Sequence, residues 1–87
     1  MMKKTSESVF KAANDVIPNG VSSPMRTFSL VGGDPIILES AKGAKITDVD
    51  GREYTDFLSG FGAIFLGHSR EEISGAVGAQ LDKGLVV

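Results

Sequence analysis

Residues 35–58, PIILESAKGAKITDVDGREYTDFL, decide the fold of this chain. Ile36-Ile37-Leu38 is a short apolar run, and Ala44 to Val49 alternates. Tyr54 to Leu58 is rich in β-branched and aromatic residues, apart from Asp56. Alternation with a period of two is the pattern of a strand with one covered face. By composition, Ser40 to Gly43 separates the first two segments, and Asp50-Gly51 separates the second and third. Asp-Gly as a two-residue loop is a strong hairpin signal, because both central positions tolerate positive φ. The stretch therefore predicts a three-stranded antiparallel meander over 35–58.

Working outward, the chain before the meander opens with a helix over 6–17. Val9, Ala13 and Val16 share a face with Phe10 and Ile17 at helical spacing. Thr5 or Ser6 can cap the first turn, Glu7 lies near the positive end of the dipole, and Pro18 with Asn19-Gly20 ends the element. Residues 20–34 follow neither period and read as a loop. After the meander, residues 59–68 form a glycine-rich loop, and residues 69–84 a second helix. Ser69 as N-cap with Glu72 fits a capping box, Ile73, Ala76, Val77, Gln80 and Leu81 form one face, and Gly84 marks the exit. Gly75 and Gly78 each cost about 1 kcal/mol inside that helix and are tolerated where another backbone comes close. The predicted fold class is α+β: helix, meander, helix.

Composition narrows the function classes. Eighty-seven residues give room for one small domain, and a chain of this size buries only about 60–65% of its unfolded surface. Without cysteine there is neither a disulfide staple nor a thiolate metal site, and a reducing compartment fits. The net charge of −2, with both signs interspersed, gives no footprint for nucleic acid or an anionic membrane. Met1-Met2-Lys3-Lys4 runs into polar Thr5 to Ser8 with no apolar signal core, and Ala63 to Leu66 is too short to span a bilayer. The expected location is the cytoplasm. Glycine is frequent, 11 of 87 residues against an average of about 7%, so the elements are short and the turns many.

Four places along the chain invite chemistry. Asp48 and Asp50 have the look of a calcium loop, but Arg52 stands where a third oxygen ligand belongs and Ser59 replaces the closing Glu. The turn explains Asp50, local hydrogen bonding explains Asp48, and no metal is expected. Arg26, with Ser22 and Ser23 braced by Pro24, either binds a carboxylate through its planar fork or is a solvated surface arginine. Phe61, between Gly60 and Gly62, either presents its ring to a ligand or anchors a loop. His68 is the single histidine and reads as structural.

Laid end to end, IPNGVSSPMRTF, VGGDPIILESAKGAKITDVDGREYTDFLSGFG, LGH and a helix ending in LDKG resemble the N-terminal part of the glutamate-1-semialdehyde 2,1-aminomutases and their class III aminotransferase relatives. The resemblance runs over residues 6–87. It implies the fold-type-I architecture of pyridoxal-phosphate-dependent transferases, a large α/β domain with a smaller one, working as dimers on a small amino-acid-like substrate. The implied reaction is conversion of glutamate-1-semialdehyde to 5-aminolevulinate in tetrapyrrole biosynthesis. In the S-P-x-R motif the Ser and Arg engage the substrate carboxylate, which assigns that role to Ser23 and Arg26. The residue between the two glycines, here Phe61, flanks substrate and cofactor. Phe61 stands where the aminomutases usually carry Trp, Ala63 where they have Pro, and Ser69-Arg70-Glu71 where they have Asn-His-Pro. Those departures keep a related class III aminotransferase open, and a non-catalytic interaction module is a further reading. The cofactor lysine, the acidic partner of the pyridine nitrogen and the phosphate loop fall downstream in the family. No catalytic residue is therefore expected here, no cofactor-binding residue is assigned, and the chain alone should be inactive.

Overall fold

The computed structural model of the chain describes residues 4–86. Met1 to Lys3 and Val87, read above only as sequence, lie outside the described residues. The elements are α1 (Ser6–Val16), two 3-10 turns (Pro18–Gly20 and Pro24–Arg26), β1 (Leu38–Lys42), β2 (Lys45–Asp48), β3 (Glu53–Thr55) and α2 (Glu71–Leu81). The strands form one antiparallel sheet in the order β1-β2-β3. Two helices and a three-stranded antiparallel meander are the predicted α+β class. The chain divides into two compact units, one holding residues up to Ser40 with Thr47–Glu53, the other Ala41–Ile46 with residues from Tyr54 onward.

In the first unit, Thr5 caps α1. Its hydroxyl oxygen accepts the Ser8 N–H at 3.1 Å, while the Ser8 Oγ accepts the Thr5 N–H at 2.9 Å. This reciprocal box satisfies two of the N–H groups that every helix start leaves over. The Asp50 Oδ1 accepts a third, from Ser6, at 3.3 Å, setting a carboxylate at the positive end of the helix. Val9, Phe10 and Ala13 are half-buried, whereas Val16 at the last turn is exposed. The helix stops where Ile17 turns extended ahead of Pro18.

The β2–β3 connection differs from the two-residue Asp-Gly loop. The Gly51 N–H donates to the Asp48 carbonyl at 3.0 Å and the Asp48 N–H to the Arg52 carbonyl at 2.9 Å, so Val49-Asp50-Gly51 is a three-residue loop. Gly51 takes its last position at φ +86, the left-handed site of the turn-plus-bulge connection, where a side chain is strained. The dipeptide marked the hairpin correctly and its length wrongly.

The turn into β2 is later than composition indicated. Ser40, Ala41 and Lys42 belong to β1, and the reversal falls at Gly43-Ala44. Most of β1 is solvent-exposed, so polar Glu39, Ser40 and Lys42 cost nothing there, and a small polar run passes for a turn. The predicted cap of α2 is also corrected. Ser69 has φ +52, outside the extended range of an N-cap, and its hydroxyl donates to the Ala41 carbonyl at 2.8 Å. Arg70 is the N-cap, without a side-chain capping bond, and the helix begins at Glu71. At the other end it stops at Leu81, ahead of Gly84 at φ +97.

Among the described residues, Pro35 and Asp48 are buried and no apolar side chain of the two helices or the sheet is. Ile73, Val77 and Leu81, the intended inner face of α2, are each about half exposed. Gly75 and Gly78 have open space where a Cβ would stand, so no described backbone approaches them.

Candidate functional site

Ser23 and Arg26 meet on one short turn of the first unit. Pro24, with its fixed φ, starts the 3-10 turn Pro24–Arg26, and extended Ser23 caps it. The Arg26 N–H donates to the Ser23 carbonyl at 3.0 Å and the Thr27 N–H to the Pro24 carbonyl at 3.3 Å. The Ser23 Oγ accepts the Met25 N–H at 3.4 Å, which leaves its own hydrogen available to donate outward. Arg26 is exposed, and among the described residues no carboxylate pairs with it. The turn thus presents a hydroxyl donor and a guanidinium fork three residues apart, a set of donors with no described acceptor. Such a set fits an incoming carboxylate.

Phe61 lies in the second unit, on the glycine loop, and is 78% exposed at φ +58. The Ser59 carbonyl accepts the N–H groups of Gly62 at 3.1 Å and Ile64 at 2.9 Å, so the loop coils tightly around that carbonyl. Two open hollows, one in each unit, take in neither Ser23, Arg26 nor Phe61.

Sequence reasoning passed over Asp56. Its Oδ1 accepts the N–H groups of Leu58 at 3.0 Å and Ser59 at 2.9 Å, and its Oδ2 lies 2.6 Å from the His68 Nε2. The Ser59 N–H, and next the His68 ring, hold the Asp56 carboxyl below the usual aspartate value of 3.8. A carboxylate only accepts, so Nε2 carries the hydrogen between them. The one available signal was an Asp set just before Ser59-Gly60, where its side chain can cap the coming turn. His68 has the structural partner its solitary place in the sequence could not name. The Asp48 carboxylate takes the turn N–H groups of Asp50 and Arg52, the Asp50 carboxylate takes the Ser6 N–H, and Arg52 lies beside both.

Residues 29–87 match the profile of the class-III aminotransferases. The chain belongs to that family. Its similarity to a glutamate-1-semialdehyde 2,1-aminomutase of Methylacidiphilum infernorum is 47% identity over 79 residues, 91% of this chain and 18% of the relative. Among solved structures, a transaminase with PLP bound shares 32% identity at a TM-score of 0.83, covering 97% of this chain and 19% of that one. An omega-transaminase from Sphaerobacter thermophilus shares 28% identity at a TM-score of 0.84, covering 97% and 18%. This class-III aminotransferase chain therefore spans about a fifth of the length of the relatives it matches, and its helix–meander–helix arrangement is shared with solved transaminases.

Proposed function

We propose that this chain is the N-terminal part of a pyridoxal-phosphate-dependent aminomutase that converts glutamate-1-semialdehyde to 5-aminolevulinate. Its role there is to hold the substrate carboxylate with Ser23 and Arg26 and to flank the substrate with Phe61. The observation that carries the reading is the exposed Ser23–Arg26 turn in a chain 47% identical to an enzyme of that name. The three departures from the aminomutase pattern support a second reading, a class III aminotransferase acting on another amino or keto substrate.

The described residues do not themselves fit a cofactor cradle. A Schiff-base lysine is activated by desolvation or a neighbouring cation, but Lys4, Lys11, Lys42, Lys45 and Lys83 are all exposed. Pyridoxal phosphate, when bound to the whole protein, supplies the electron sink for moving an amino group. This chain's part is to bind and orient, and alone it turns over no substrate.

The intact protein, loaded with cofactor and given glutamate-1-semialdehyde, is assayed for 5-aminolevulinate with and without an added keto acid. Catalytic formation without any keto acid is the expected result. Transfer of the substrate's amino group to the added keto acid, with no 5-aminolevulinate formed, replaces the aminomutase reading with the aminotransferase one. In the first reading the protein acts as a homo-oligomer, with substrate as its other partner.

A further inference from the structure

We propose that Asp56 and His68 are a positioning pair that fixes the Phe61 loop, an inference resting on the reading of Phe61 as a substrate-flanking side chain. Phe61 is 78% exposed, and its loop neighbours Phe57 and Phe65 are at least as open, so apolar burial does not set where the ring points. Backbone geometry does. Ser59 and Phe61 both sit at positive φ, a conformation that side-chain-bearing residues keep only when their surroundings over-determine it.

The over-determination is polar and gathers at the loop's two ends. At the entry, the Asp56 N–H donates to the Ala44 carbonyl at 2.8 Å. At the exit, Gly43 and His68 exchange two backbone hydrogen bonds of 2.9 Å each. The His68 Nε2–H closes the mouth on the Asp56 Oδ2, while the other oxygen of the same carboxylate holds Leu58 and Ser59. One side chain therefore ties exit to entry and sets the first turn leading to Phe61. Gly67 lets the exit come this close: a Cβ there would stand 3.3 Å from the Gly43 Cα. With the carboxylate fixed at both oxygens, the loop has one arrangement instead of several.

The test is a double-mutant cycle in the intact, cofactor-loaded protein, with amide exchange on the same samples. Asp56→Asn keeps the shape and the acceptor for Leu58 and Ser59 but loses the charge that the His68 N–H meets. It is expected to speed exchange of the 58–64 amides and to lower kcat/KM roughly tenfold to a hundredfold, the scale of a small misplacement at a site. His68→Ala is expected to match it, and His68→Gln, which keeps an N–H donor, to restore most of both losses. Combining Asp56→Asn with Phe61→Ala should cost no more than Phe61→Ala alone. Equal losses from Asp56→Asn with and without the Phe61 ring overturn the positioning role and leave the reading of Phe61 standing. Unchanged kcat/KM in Phe61→Ala overturns that reading, and the pair's role with it. A merely structural pair would lower Tm without producing the non-additive kcat/KM.

Discussion

The Asp48 carboxylate accepts the main-chain N–H of Arg52 at 2.8 Å from a position with no solvent exposure. The same oxygen takes the Asp50 N–H at 3.0 Å, so one buried side chain closes the β2–β3 turn. Asp48→Ala leaves both N–H groups without that acceptor, at a cost of about 1–3 kcal/mol. Asp48→Asn, whose amide oxygen can take the same place, should lose less. Exchange rates of the Asp50 and Arg52 amides check this, and equal rates in the two variants would contradict it.

Asp56 gives the protein a pH dependence whose sign is fixed. Its folded carboxyl lies below 3.8, so between the two values the unfolded chain binds the extra proton. The stabilisation is fully present above the unfolded value, through neutral pH, and is lost as pH falls through the folded one. Carbon-13 titration of the aspartate carboxyls should give Asp56 a midpoint below 3.8, with loop amides losing protection as it is crossed. A midpoint above 3.8 would contradict the assignment.

Much of the fold was legible because periodicity and turn residues act locally. The α1 face, the Asp-Gly hairpin and the Pro18 and Gly84 stops all depend on near neighbours. What could not be read depends on distant ones. Ser69 satisfies the capping pattern by spacing, yet its hydroxyl is taken by Ala41, 28 residues earlier. Asp56 looked like a polar interruption in a strand because its partner, His68, is 12 residues on. Ser23 and Arg26 were legible as a motif, and Pro24 explains why they share a turn.

The two glycines of α2 make a local prediction. Neither Gly75 nor Gly78 has a described atom where a Cβ would stand, so in the isolated chain Gly75→Ala should strengthen the helix by about 0.5–1 kcal/mol. Far-UV circular dichroism against temperature measures it. Lower helicity in the variant would contradict the open surroundings of Gly75.

The isolated chain should also self-associate. No apolar side chain of its described helices or sheet is buried, and Ile73, Val77, Phe57 and Phe65 are all exposed. Folding must still offset roughly 1–2 kcal/mol of backbone entropy per residue, and the outer strands of a small sheet invite pairing. Sedimentation equilibrium over a wide concentration range should show mass rising with concentration. A constant monomer mass with strongly protected amides in both helices would contradict this.

The most direct test of the account is Arg26→Lys in the intact protein, assayed with substrates that carry or lack the carboxylate. Lysine keeps the charge and loses the two-pronged fork. For the carboxylate substrate, kcat/KM should fall by the equivalent of about 1.5–3 kcal/mol, the range for a hydrogen bond to a charged group, and the other substrate should barely respond. Equal losses on both substrates would mean that Arg26 supports the fold and does not read the carboxylate.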